Sequence, residues 1–514
     1  MVKRFFLLLT SIVSITFSYC QEHSVKLDTV GNYNGWGWQA LFVDNDFVQL
    51  LILPEIGGRV LHYGFENDTF MAVNSSQINR SYDITTNQTG PWTSWGYGGY
   101  KAWPAPQSVW NWPPPPYLDW GSYEWSVEHA SADSVIIYLK SPVESYRTPG
   151  LQQARRFKIY SNSTRVRVEQ ILKNISNSRI EWSVWEVTQA VVDHNGTHDY
   201  ENISTYFPSG ESDIKVLMGS KIPTAEVEDN VRRFNYAGSG WKIGTLLKEG
   251  WACFVDESDE QTYAKIFDID PVSAQYPDQN SNFQIYVGGN YVEIEVLGPL
   301  TDIAQGDSIV YTENWYAANT RGAIRKANHC GAVRNRLSYN LNTMTLEGEY
   351  GIFNSGSLRT TFYDAADQEI NTDEPVNVTA AEKFTLSKAI SVPAGTEKIE
   401  LLAYDTEDHL IGVLDSLLMS DISAAPQQMF NSSCAIYPTV VKKGNPLFFK
   451  ISECVAEEFT IDIHALPDGK LAGKYFLNNK KGHFSVNTSN LAYGMYLITI
   501  RQDGMIFREK ICVR

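Results

Sequence analysis

From residue 21 to about residue 325, apolar and polar positions alternate with the period of β-strands. Turns rich in Gly, Asn, Asp and Ser break the pattern. Val48 to Leu53 is an apolar run closed by Pro54, and the Gly57-Gly58 turn then opens the alternating segment R-V-L-H-Y-G-F-E-N-D. Residues 135–139, 155–160 and 165–172 repeat the theme, as do 180–192, 241–247, 251–256, 283–287, 291–297 and 308–316. No amphipathic helix of three or more turns emerges at the helical period. Roughly 300 residues of nearly pure β pattern without internal repeats predict one large sandwich or barrel.

Near Cys330 the segments shorten and Trp becomes scarce. Residues 329–425 carry about seven short strand patterns, T-L-E-G-E-Y and E-K-I-E-L-L-A-Y among them, which predict a small immunoglobulin-like sandwich acting as a spacer. A linker at 426–433 leads into a last compact β unit at 434–514. The predicted fold class is all-β, a large sandwich followed by two small ones.

One stretch departs from alternation. Trp95 to Trp120 holds five Trp, three Tyr and six Pro, including the run Pro113 to Pro116. Proline removes backbone donors and fixes φ, so this predicts a long, stiff loop. Two readings fit it. Trp103, Trp110 and Trp112 are sugar-stacking candidates, because indole faces pack on the C–H faces of sugar rings. Alternatively the loop plugs one end of the sandwich. Lys101 and Asp119 within it tilt the reading toward binding.

Composition narrows the partners. The chain has 514 residues, 43% of them apolar, and a net charge of −17. It is globular, and so acidic a surface excludes nucleic acid as a partner. Lys3 and Arg4, the apolar run Phe5 to Phe17, and Ser18-Tyr19-Cys20 predict an export signal over residues 1–20. That run is too short to cross a bilayer, and no later segment qualifies as a transmembrane span. Cys253, Cys330, Cys434, Cys454 and Cys512 would remain, with no C-x-x-C pair and hence no zinc site. A pairing among the last three stays open, and no cofactor is expected.

Five segments occur in order: P-E-I-G-G-R-V-L-H-Y (54–63), G-G-Y-K-A-W-P-A-P-Q (98–107), W-N-W-P-P-P-P (110–116), W-S-V-W-E-V-T-Q (182–189) and Y-V-E-I-E-V-L-G-P-L (291–300). Together they resemble a bacterial domain family of unknown function, related in pattern to the galactose-mutarotase-like β-supersandwich. The resemblance implies such a supersandwich over residues 21–328, with a sugar-facing cleft and no fixed reaction. Residues 434–514 resemble the C-terminal sorting domain read by the type IX secretion machinery of Bacteroidetes. Tyr437-Pro438, Asp468-Gly469, Gly494-Met495-Tyr496 and a basic final strand carry that likeness, and Thr439 departs from the usual asparagine.

Several residues are candidates for chemistry. On Y-V-E-I-E-V-L, Glu293 and Glu295 share one strand face about 7 Å apart, a spacing suited to acid/base work, or else to a solvated outer face. Glu186 shares its face with Trp182, Val184 and Ala190, an apolar row where a carboxylate has to be paired or functional. Arg59 is either a clamp for a uronate carboxylate or the buried partner of Glu186. His62 and His194 are the nearest histidines to the family-like motifs, yet the histidine context of the mutarotases is missing. Asp268, Asp270 and Asp278 suit a hard cation or, more simply, turn capping. The set implies an exported carbohydrate-interacting protein. Glu186 and Glu295 are its acid/base candidates, and Arg59, Lys101, Trp103, Trp110, Trp112 and His194 its sugar contacts. The expected partners are a polysaccharide or oligosaccharide, such as ulvan or alginate, and the type IX machinery. A non-catalytic glycan binder and a structural or adhesion protein are the alternatives.

Overall fold

A computed structural model describes residues 23–422 and 434–514, with short interior interruptions. The expected export signal and the 426–433 linker lie outside the described residues. Among the described residues the structure is built of strands, and the α-helices are four-residue turns such as Pro116–Asp119. No helix among them is long and apolar enough to cross a membrane.

Two sheets make the large sandwich. The first, of twelve strands, runs Lys26–Val30, Ala40–Asp44, Gln49–Leu53, Arg59–Phe65, Gly99–Ala105, Ile180–Ala190, Val292–Leu297, Phe283–Val287, Trp241–Thr245 and Lys215–Met218, with two short strands at its side. The second, of ten strands, has Gln261–Phe267, Ser308–Ala318, Val166–Asn174 and Leu151–Tyr160 at its centre. Aromatic side chains interlock between them: Tyr63 and Tyr100 of the first sheet meet Trp315 of the second at 5.4 and 4.5 Å between ring centres. Polar ties cross the same gap, from Tyr63 Oη to the Thr164 carbonyl and from Gln170 Nε2 to Tyr100 Oη.

The sheets differ in what covers their outer faces. Strands 151–160 and 166–174 of the second alternate between buried and partly exposed positions, as one-sided burial requires. Gly99–Ala105 and Val292–Leu297 of the first are buried at every position. Their outward side chains are covered as well, and the Trp-rich stretch supplies much of the cover. It is not one long loop. Its middle is the strand Gly99–Ala105, which accommodates Pro104 because pairing toward Arg59–Phe65 is limited to Val60 with Tyr100. The end carrying Pro104 therefore has a strand neighbour on one side only, an arrangement proline tolerates.

Asp119 pins this stretch down. Its carboxylate accepts from Arg59 Nη2 (2.8 Å), Trp103 Nε1 (2.7 Å) and Trp92 Nε1 (2.6 Å). Gly57, in the left-handed region at φ 85°, passes so close to the Asp119 carbonyl oxygen that a Cβ would lie 1.9 Å from it.

Beyond residue 325 a four-stranded and a five-stranded sheet form a smaller sandwich around Val333, Tyr350, Phe362 and Leu414. It joins the large one through Phe353, whose carbonyl accepts from Thr164 N and Ser163 Oγ. Residues from 434 onward form two further sheets around Ile461, Ile463 and Ile498. Gly494 opens the strand Gly494–Gln502, which pairs with Met505–Val513. Pro438, Thr439, Asp468 and Gly469 lie outside the described residues. Cys253, Cys330 and Cys512 are free thiols, so Cys512 takes no part in a pairing.

Candidate functional site

Strand register gathers a set of polar side chains on the outer face of the first sheet. Lys101 lies opposite Val187, and Val187 opposite Glu295; in the next rows Gln189 faces Glu293, and Trp185 faces Trp103. Glu295 and Glu293 are flanked in turn by Gln284 and Tyr286, and Tyr286 by Lys242. Directly paired residues share a face, so these side chains all emerge on one side.

Glu295 is the centre of this cluster. Its Oε2 accepts from Trp185 Nε1 at 2.6 Å and pairs with Lys242 Nζ at 2.7 Å. The Lys242 ammonium also sits 4.4 Å above the Trp185 ring. Among the described residues, Oε1 of Glu295 has no partner, and neither does Oε1 of neighbouring Gln284. Burial raises the Glu295 carboxyl to about 7; Lys242 opposes that rise and the charge of Glu293 adds to it. Lys101 pairs with Glu293 at 3.2 Å and lies 5.2 Å from the Trp103 ring. Burial lowers its ammonium to about 8 against the pull of Glu293. The lysine rim reaches solvent: the Lys242 side chain is 14% exposed, whereas Glu295 is sealed beneath it. Trp112 stands alongside, 50% exposed and edge-on to Trp92 and Trp103.

The aromatic residues do not stand as the open-groove reading expects. Trp103 and Trp110 are 2% and 3% exposed, and their indole N–H groups are spent on Asp119 and the Pro104 carbonyl. Both rings pack on Trp185 as a floor under the site. Of the three candidates only Trp112 offers a face to a ligand. Asp119 is the anchor of that floor, not a ligand contact.

Arg59 is fully buried and bonds Asp119 and the Gly98 carbonyl. The structural pair expected for it exists, but with Asp119 in place of Glu186. Its Nη1 and Nη2 are bonded within the protein and the whole side chain is buried, which leaves no fork free for a uronate.

Glu186 faces the other way. It lies opposite Ala102 and Val296, one position out of step with Glu295, and so projects into the space between the two sheets. The two carboxyls stand on opposite sides of one sheet and cannot flank a single substrate. As anions, Glu186 and its neighbour Glu313 would face each other with no proton between them. Burial first, and then the adjacent Glu313 charge, hold the Glu186 carboxyl well above the usual range, so it is protonated and donates to Glu313. Burial works against the Glu313 anion too, but Lys265 (3.1 Å), the Trp315 indole (2.7 Å) and the Glu186 proton outweigh it.

The remaining candidates scatter. His62 is mostly buried, with Nε2 3.2 Å from the Phe65 carbonyl, and burial lowers its imidazole. His194 sits on a two-residue strand pairing with Thr197, and its side chain is outside the described residues. Asp270 caps its own turn through Val272 N and Ser273 N, and Asp278 accepts from Gln284. No group of metal-ligating side chains occurs among the described residues. Lys242 and Trp185 were not singled out by sequence reasoning. The signal available for Lys242 was a lysine between Trp241 and Ile243 in the apolar strand W-K-I-G-T.

No family model matches the chain, and no curated protein does. Solved structures with a similar arrangement of sheets include a galactose mutarotase-like protein from Clostridium acetobutylicum, 12% identical over 58% of this chain and all of that one, at TM-score 0.38. A putative aldose 1-epimerase from Klebsiella pneumoniae is 11% identical over 58% of this chain and 84% of that one, at TM-score 0.40. A TPR-domain containing protein from Parabacteroides distasonis aligns over 57% of this chain at 12% identity and TM-score 0.38, but only 49% of its own length is covered. Likeness at this level says nothing about a reaction. The fold and site define an all-β protein with a large two-sheet sandwich, bearing a lysine–glutamate–tryptophan cluster on the outer face of its first sheet.

Proposed function

We propose that this is an exported carbohydrate-interacting protein which takes part in breaking down a uronate-bearing polysaccharide, with the cluster around Glu295 as its sugar site. The observation that carries this reading is Glu295 itself, a buried carboxyl raised to about 7 with one oxygen unpartnered. Such a group can take or give a proton near neutrality, as acid/base chemistry on a sugar requires. Unpartnered acceptors on Glu295 and Gln284 suit a ligand rich in hydroxyl donors. Trp112 offers a half-exposed ring for stacking. Lys242 moves aside as the ligand enters, and its ammonium then meets the sugar carboxylate while Glu295 faces the reacting atoms. Lys101 and Glu293 flank them as a second, fixed pair.

A non-catalytic glycan binder is the second reading, favoured by the pairing of both lysines with glutamates in the free protein. Incubation with alginate, ulvan and neutral polysaccharides, followed by assays for unsaturated uronates and new reducing ends, separates the two. Product formation that disappears in Glu295→Gln and survives in Glu186→Gln supports the enzyme. Binding without product supports the binder, and neither binding nor product removes the sugar role altogether.

Residues 434–514 are proposed to direct the protein through type IX secretion, on the motif likeness and on a unit built from its own two sheets and core. Removing this segment should leave the protein inside a type IX-competent host. Undiminished export would reject that role.

A further inference from the structure

A second feature of the outer face lies at the far end of the strands that carry the cluster. Going from the row of Trp103 and Trp185 to the row of Gly99 and Gln189 moves four residues along each strand, about 13 Å at the rise of a β-strand. Past Gln189 a cleft of about 320 Å³ opens, lined by Val73, Ser75, Trp95, Val191 and Asn290. It is within the size range of small-ligand sites. Its position is fixed by the sheet: Ala72 N bonds the Gln189 carbonyl, and Met71 bridges Ala190.

Trp95 connects cleft and cluster. Its ring is partly exposed and stacks on Tyr291 at 5.1 Å with an interplanar angle of 27°. Tyr291 lies 6.0 Å from Tyr286, and Tyr286 is the cross-strand neighbour of Glu293. A continuous run of aromatic side chains therefore leads from the carboxylates to the cleft. Trp112 extends the opposite flank. One sugar ring cannot touch both ends.

We infer that the cleft at Trp95 is a distal sugar subsite, and that the ligand of the Glu295 site is an oligosaccharide lying along the strands of the first sheet, with one ring on Trp95 and others over the cluster. This inference rests on the sugar-site reading above. Trp95 supplies a stacking face, while exposed Ser75 and Asn290 supply hydroxyl and amide partners at the rim. The occupant is polar and chain-like: the cleft and the cluster are separate places linked through the packed Trp95–Tyr291–Tyr286 rings, and only a chain of several sugar rings spans both.

Calorimetric titration of the full chain with mannuronate monomer, trimer and hexamer, and with the matching xylose series, tests it. In at least one series the hexamer should bind about tenfold or more tighter than the monomer. Trp95→Ala should collapse that ratio toward one, and Asn290→Trp, which fills the cleft from an exposed turn and leaves the aromatic stack intact, should do the same. Equal affinity of monomer and hexamer, or a length preference untouched by both variants, overturns the distal subsite. If binding independent of length is nevertheless lost in Glu295→Gln, the sugar site stands without its extension. If the wild-type protein binds neither series, both are overturned.

Discussion

The same three-residue arrangement occurs twice, once on the second sheet where it faces the gap between the sheets, and once on the outer face of the first. On the inner side Glu313 pairs with Lys265 at 3.1 Å and accepts from the Trp315 indole at 2.7 Å, with Lys265 5.9 Å from that ring. On the outer side Glu295 pairs with Lys242 at 2.7 Å and accepts from the Trp185 indole at 2.6 Å, with Lys242 4.4 Å from that ring. Each has a second carboxyl beside it, Glu186 within and Glu293 without. The difference lies in closure. Inside, Glu186 holds a proton for Glu313, and Lys265 is sealed from solvent at 1% exposure. Outside, Glu295 Oε1 is buried without a partner among the described residues, and the Lys242 above it reaches water at 14% exposure. The same chemistry is structural where its lysine is sealed in the core, and becomes available for a ligand where the lysine reaches solvent.

Four substitutions or titrations break or sharpen this contrast. The largest effect belongs to Glu295→Gln, which should lower turnover of a responsive polysaccharide by about 10²–10⁴-fold, the usual contribution of a positioned acid/base; initial rates of product release measure it. Next is Glu313→Gln, which strands the Lys265 ammonium in the core and should cost about 3–5 kcal/mol in denaturant unfolding. A pH series is third. Between pH 4.5, the ordinary glutamate value, and about 7, the folded protein holds a proton on Glu295 that the unfolded chain has released. Stability therefore falls as pH rises through that window, by up to roughly 3 kcal/mol. The fall should be smaller in Glu295→Gln. The smallest effect is that of Glu186→Gln, an isostere of the protonated carboxyl, which should change stability by less than about 1 kcal/mol and leave activity intact.

Much of the sheet framework could be read from alternation alone. The strand expected at 283–287 is Phe283–Val287, and that at 251–256 is Trp251–Asp256. Glu186 stood out for a physical reason, a carboxylate in an apolar row, and it is indeed buried. Its partner, however, came from the strand Ser308–Ala318 of the facing sheet, and which strand lies opposite is not written in local periodicity. The same limit applies to Arg59, whose partner Asp119 lies in the Trp-rich stretch. For Glu293 and Glu295 the shared face was legible, but the solvated alternative failed because a Trp floor and two lysines cover them. Counting tryptophans could not tell Trp103 and Trp110 from Trp112. Their exposure depends on whether each indole N–H finds an internal acceptor, and Asp119 and the Pro104 carbonyl are acceptors that only folding brings near.

The contrast between the two faces can be measured at the carboxyls themselves, by following carbon resonances of labelled glutamate through a pH titration, with and without a bound uronate oligosaccharide. Assignment comes from Glu186→Gln and Glu295→Gln. The account predicts that Glu295 titrates near 7 and shifts when the oligosaccharide is added, while Glu186 titrates well above the ordinary glutamate range and does not respond to it. A ligand-induced shift at Glu186, with Glu295 unmoved, would contradict it.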